Sequence, residues 1–155
     1  MLCQAAESII YPGCMQDILK RIGTTLHSAL FRVTRGRVAG TISNTPVLLL
    51  TTTGRKTGKP RTVPLLYLAD GGGYAVIASN GGATLDPAWC LNLRANPTGN
   101  VQTGADHIAV RAEFVEGDER ERLWQALAST YRGYDGYVER TSRRIPVIML
   151  RPETA

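Results

Sequence analysis

The chain has 155 residues, 43% of them hydrophobic and 20% charged, which suits one folded domain with a real core and argues against a disordered chain. No apolar run reaches the roughly 20 residues that span a bilayer. The opening MLCQAAESIIYPGCMQD has no basic stretch followed by an apolar one, so no secretory leader is expected.

The net charge of +5 is unevenly placed. From Ile18 to Ala69 there is no Asp or Glu, yet that window holds nine of the 18 basic residues; the other 103 residues hold nine bases and all 13 acids. Such segregation builds a positive region that attracts anions. Cys3, Cys14 and Cys90 lack CxxC spacing and fit a reducing interior better than a disulfide framework. Only His27 and His107 are present, far apart, so neither a metal centre nor a Ser-His-Asp or Cys-His pair is expected.

In chain order, Gln16 to Val33 place Ile18, Leu19, Ile22, Leu26, Ala29, Leu30 and Val33 at helical spacing, an amphipathic helix with a basic polar edge. RGRVAGTISNTP is a connector. PVLLLTTT and RTVPLLYLAD read as two strands around the loop GRKTGK, so the connection is a hairpin whose glycines supply positive φ. DGGG turns the chain into a third strand, YAVIAS. Asp86 and Pro87 read as N-cap and first residue of a short helix that Asn96-Pro97 ends. VQTGADHIAVRAEFVE alternates as a hairpin with Gly104 to Asp106 at its turn. GDERERLWQALASTY is a helix with Asp118, Glu119 and Glu121 at its positive end, Gly133 and Gly136 interrupt it, and IPVIML is a last strand. The tally, about six strands and three helices, has its strands clustered and hairpin-linked. It predicts an α+β, mainly β fold: an antiparallel sheet or barrel with flanking helices, divided into an N-terminal helix and connector over 1–40 and one domain over 41–155.

Three stretches carry chemistry. Arg55, Lys56, Lys59 and Arg61 fall within seven residues, where glycine-freed amides and fixed cations suit phosphate or clustered carboxylates. The loop is no Walker motif, since Pro60 follows Lys59, and no GxGxxG stands at a strand-to-helix turn. Aromatic residues make up 6% of the chain and none lies in the loop, which argues against nucleic acid as the anion. Tyr131, Tyr134 and Tyr137, spaced by three with glycines between, suit either a core or a flat, partly polar substrate under a mobile segment. SNGG followed by a helix start offers a hydroxyl and backbone amides to a ligand's polar edge, or is an ordinary connection.

Together LLLTTTGRKTGKPRTVPLLYL, ASNGGATLDPAWCLNLRANP and YRGYDGYVERTSRRIPVIMLRP resemble, over Pro46 to Pro152, the deazaflavin-dependent nitroreductases of actinobacteria, which use coenzyme F420. The resemblance implies a split β-barrel of about six mostly antiparallel strands with helices packed around it. It implies hydride transfer from reduced F420 to an electron-poor small molecule: a quinone, a nitroaromatic or an unsaturated lactone. It implies that Arg55, Lys56 and Thr57 bind the cofactor's phosphate, and that Arg61, Thr62, Val63, Pro64, Leu65 and Leu66 line the loop beneath its ring. Ala78, Ser79 and Asn80, with Ala88, Trp89, Cys90, Leu91 and Asn92, would hold the remaining edges. Tyr134 would sit against the deazaflavin, and Tyr131, Tyr137 and Ser79 would face the substrate. Asn80 stands where lysine is common in the family, and Cys90 where an aromatic residue is common. Two alternatives stay open: an FMN-binding reductase on the same barrel, or a deazaflavin carrier with no turnover. The expected setting is a cytoplasmic protein, a monomer in preference to an oligomer, whose basic N-terminal helix either packs on the barrel or touches anionic membrane.

Overall fold

A computed structural model describes residues 41–42, 45–131 and 133–153. The helix expected over Gln16 to Val33, and the division at residue 40, lie outside the described residues. The described residues form eight strands: β1 (Thr41–Ile42), β2 (Thr45–Thr53), β3 (Pro60–Leu66), β4 (Leu68–Asp70), β5 (Gly73–Ile77), β6 (Thr98–Thr103), β7 (Asp106–Phe114) and β8 (Val147–Pro152). The described helices are α1 (Ala88–Ala95), α2 (Gly117–Thr130) and α3 (Gly133–Val138), with a 3-10 turn at Asn80–Gly82.

Every described strand pairing is antiparallel. Past the short β1 hairpin on its first residues, β2 lies between β3 and β6, and the order continues β6-β7-β8-β5-β4. The two ends of that order, β3 and β4, are one stretch of chain parted by Tyr67, so the sheet closes on itself. Tyr67 donates its N–H to the Pro46 carbonyl at 3.2 Å, which draws the bend against β2. RTVPLLYLAD, expected as one strand, is therefore two. The break at Tyr67 turns an open sheet into the split barrel with flanking helices.

Alternation along the strands builds two apolar layers. Leu48 and Leu50 of β2 face inward with Val76, Val101, Val110, Ile148 and Leu150, joined by Trp89, Cys90 and Leu93 of α1. The opposite face of β5 and β8, with Ala75, Ile77, Val147 and Met149, is covered by Leu123 and Leu127 of α2 and by Tyr134 of α3. Leu48, Leu50, Leu123 and Leu127 are fully buried, each worth about 1.5–3 kcal/mol of transfer free energy.

Two local expectations are corrected. Asp86 does not cap α1. Pro87 occupies the N-cap position, where Leu91 N–H bonds its carbonyl at 3.2 Å, and no side-chain cap is made. The Asp86 carboxylate instead meets Arg143 Nη1 at 2.7 Å, a charge-assisted bond stronger than a neutral cap. The segment after α2, read as a glycine interruption, holds a short helix of its own, α3.

Candidate active site

The basic loop closes the β2–β3 hairpin, from Thr53 paired with Pro60. It is a compact turn rather than an open arm. Gly54 N–H bonds Lys59 O at 2.9 Å, Thr57 and Gly58 donate back to Gly54 O at 3.1 and 2.7 Å, and Thr57 Oγ1 accepts Lys59 N–H at 3.4 Å. Gly58 has φ +66, which a side chain would strain. Thr51 and Thr62 hydroxyls, 2.9 Å apart, link the two strands beneath it.

Arg55, Lys56, Thr57, Lys59 and Arg61 are exposed. Seven arginines elsewhere, Arg94, Arg111, Arg120, Arg122, Arg143, Arg144 and Arg151, each meet a carboxylate. No carboxylate pairs with Arg55, Lys56, Lys59 or Arg61 among the described residues. A cluster of exposed cations on a compact turn, with no described carboxylate to neutralise it, attracts anions in electrostatic terms.

Helix α1 anchors that loop. Asn92, 4% exposed, accepts the Arg55 N–H at 3.1 Å and donates to Thr52 Oγ1 at 3.1 Å. Both ends of its amide are thus engaged, so it holds the loop that would hold the anion. Trp89 and Cys90 are buried against the barrel interior, while Ala88 is exposed and Leu91 half-buried. Burial first, then the Asp86 carboxylate, pushes the Cys90 thiol up to about 11, with Arg94 and Arg143 opposing. It is a packing residue with no nucleophilic character at neutral pH.

Along β3, Thr62 to Leu66 are half-buried, and Val63 and Leu65 pack on the inner core. Strand β5 ends at Ile77, and the buried Ala78 donates to Pro146 O at 2.9 Å. Ser79, half-buried, and Asn80, exposed, open the 3-10 turn, and Asn80 Nδ2 reaches Leu85 O at 3.0 Å. Asn80, Gly81 and Gly82 all have positive φ (48, 64 and 79).

The tyrosines gather beside this turn. Tyr131 ends α2, and Tyr134 and Tyr137 lie one turn apart on α3. Tyr134 sits edge-on to both neighbours, with ring centroids 5.3 Å from Tyr131 and 6.0 Å from Tyr137. It is 4% exposed, and burial raises its phenol far above the ordinary value. Tyr131 and Tyr137 are half-buried. The nearby Tyr131 phenol, then burial, raises the Tyr137 phenol above its ordinary value, so it stays neutral at physiological pH. A Cβ on Gly82 would lie 3.0 Å from both Tyr137 O and Arg140 Cβ, so the Ser79 turn and α3 are in direct contact.

Two subsets are thus brought together: Arg55–Thr57 with α1 through Asn92, and Ser79–Gly82 with Tyr137 through close backbone packing. Reasoning from the sequence missed Arg143, whose guanidinium reaches Ala78 O, Ser79 O, Ala83 O and Asp86. Backbone carbonyls carry no sequence signature, so no local signal could have named it.

The family model for F420H(2)-dependent quinone reductase matches residues 24–152. An F420H(2)-dependent quinone reductase of Mycobacterium tuberculosis strain H37Rv is 42% identical over 129 residues, covering 81% of this chain and 87% of that protein. The solved structure of an F420-H2 dependent reductase is 42% identical with a TM-score of 0.64, covering 68% of this chain and 94% of that one. A second solved structure, described as a domain-swapped dimer, is 37% identical with a TM-score of 0.64 over 80% of this chain and 98% of that one. With its split barrel and its unpaired cationic loop, the chain belongs to the F420H(2)-dependent quinone reductase family.

Proposed function

We propose that this chain transfers a hydride from reduced F420 to a quinone or another electron-poor small molecule, with the residues above as its site. The observation that carries the site assignment is the loop of four exposed cations that no described carboxylate neutralises. F420 is an extended polyanion with a phosphate and a polyglutamate tail, and it fits such a loop better than FMN, which needs fewer cations. In this reading Arg55, Lys56 and Thr57 hold the phosphate, and the segment Arg61 to Leu66 with Ala88 and Leu91 lies along the ring.

Bound there, reduced F420 supplies a hydride, and the acceptor gains that hydride and one proton. The protein's work is orientation, exclusion of water and stabilisation of charge. In this reading Ser79, Tyr131 and Tyr137 donate to an acceptor oxygen as it gains negative charge. Tyr134, buried beneath them, keeps the other two rings edge-on and in place. The proton comes from water or from a phenol that its surroundings keep protonated.

Steady-state reduction of a quinone by reduced F420 tests this, with Tyr131→Phe and Tyr137→Phe beside the native chain. Turnover that falls in either variant while F420 affinity holds supports an enzyme. F420 binding with no acceptor turned over supports a carrier and ends the proposal. The setting it implies is cytoplasmic, and liposome flotation at low salt decides between the two expectations for the basic N-terminal segment, packing on the barrel or contact with anionic membrane. One relative is a domain-swapped dimer. Sedimentation velocity decides whether this chain shares that state or is the monomer expected from its sequence.

A further inference from the structure

We propose that Arg143 is a positioning residue for the reducing site: a single guanidinium that fixes the turn presenting Ser79 and ties it to the helix anchoring the basic loop. The inference rests on Ser79 facing the substrate, as proposed above.

Arg143 is only 14% exposed. Its Nη2 donates to Ala78 O at 2.9 Å and Ser79 O at 2.8 Å, its Nε to Ala83 O at 2.8 Å, and its Nη1 to Asp86 Oδ1 at 2.7 Å. Four acceptors therefore converge on one planar, permanently charged group, from both ends of the segment between β5 and α1. That segment has few bonds of its own. Its middle runs through three consecutive positive-φ residues, Asn80 to Gly82, and its own bonds are Gly82 N–H to Ser79 O at 2.9 Å, Ala83 N–H to Asn80 O at 3.2 Å and the Asn80 side chain to Leu85 O.

The cross-link reaches both halves of the site. On one side, Gly82 packs on Tyr137 and Arg140, so the path of the turn sets where Ser79 stands relative to the phenols. On the other, Asp86 leads through Pro87 into α1, whose Asn92 holds Arg55. Asp86 also lies 3.6 Å from Arg94, on the last turn of the same helix. Lysine cannot substitute. An ammonium keeps the charge but brings three donors on a point, and it cannot serve four acceptors spread around a guanidinium plane.

The test compares Arg143→Lys and Arg143→Ala with Arg122→Ala. Arg122 makes an equally short bidentate pair with Asp70, at 2.8 and 2.8 Å, on the exposed outer surface. Below the melting temperature of each variant, three quantities are measured on the full chain: the Kd for F420, kcat and KM for a quinone at saturating reduced F420, and amide hydrogen exchange over 79–86. Arg143→Lys is expected to lower kcat at least tenfold, leave the F420 Kd within threefold and speed exchange over 79–86 at least tenfold. Arg122→Ala should change none of the three, and added guanidinium ion should restore part of kcat in Arg143→Ala. Unchanged exchange, or faster exchange with kcat within twofold of the native chain, overturns the proposal. A parallel Ser79→Ala separates the two readings. If it leaves kcat and KM unchanged the substrate-facing assignment fails, while the exchange data still report whether Arg143 holds the turn.

Discussion

Removing the Asn92 amide should loosen the anion loop without touching its charges. Asn92→Ala deletes the 3.1 Å bonds to Arg55 N–H and to Thr52 Oγ1. Arg55 is exposed, so water replaces its lost acceptor at little cost. Thr52 is 2% exposed, and its stranded hydroxyl costs about 1–3 kcal/mol, or roughly 2–4 °C of Tm per kcal/mol in a chain this size. The functional loss is separate. A hydrogen bond to a charged group contributes about 1.5–3 kcal/mol. A loop that holds its phosphate contacts only part of the time forfeits about half of one, so F420 should bind about three- to tenfold more weakly. The control is Thr52→Val, which disturbs the same buried spot but keeps the Arg55 bond. Urea denaturation and a fluorescence titration with F420 are run on both. Similar destabilisation with weakened binding only in Asn92→Ala is expected. Binding by Asn92→Ala within twofold of the native chain would refute the anchoring argument.

Three further outcomes follow from the geometry. Gly82→Ala puts a side chain at φ +79, 3.0 Å from Tyr137 O; it should lower stability by about 1–3 kcal/mol and reduce kcat more than F420 affinity, as denaturation and steady-state assays would show. In a Cys3→Ser, Cys14→Ser background, Cys90 should resist a thiol reagent at pH 8 in the native state and react in urea, because it is fully buried with its thiol raised to about 11; rapid native labelling would contradict that placement. The bond to Arg122 holds the Asp70 carboxyl below its ordinary 3.8. Its folded pKa is the lower one, so the pair's stability is present above pH 3.8 and is lost as pH falls through the folded value. Asp70→Asn should cost a few tenths of a kcal/mol at pH 7, as exposed pairs do, and remove that part of the acid sensitivity seen in urea midpoints between pH 5 and 2.

The parts of the fold legible in the sequence are those whose causes are local. PVLLLTTT reads as a strand because apolar and β-branched residues alternate between two buried faces, and the structure extends it by one residue to Thr45. Gly104 to Asp106 reads as a turn, and Gly104 and Ala105 are the two residues between paired Thr103 and Asp106. The basic loop stands out because its charges are contiguous and exposed. What the sequence hides is set by distant partners. Asp86-Pro looks like a helix cap, yet Arg143, 57 residues on, takes the carboxylate. Gly133 and Gly136 lower helix propensity, yet Tyr134 packing against Trp124, Tyr131 and Tyr137 overrides it and α3 forms. The bend at Tyr67 depends on Pro46 of the neighbouring strand β2, 21 residues earlier in the chain. Within α1, helical pattern alone does not tell the exposed Ala88 and half-buried Leu91 from Trp89 and Cys90, which belong to the core.

The most direct test is a fluorescence titration of the full chain with F420, beside FMN, repeated with Arg55 and Lys56 both changed to Ala. Low-micromolar or tighter F420 binding that outcompetes FMN, and weakens at least tenfold in the double variant, is the predicted result. Binding that ignores the double substitution, or a preference for FMN, would contradict the assignment of the unpaired cations to the cofactor's phosphate.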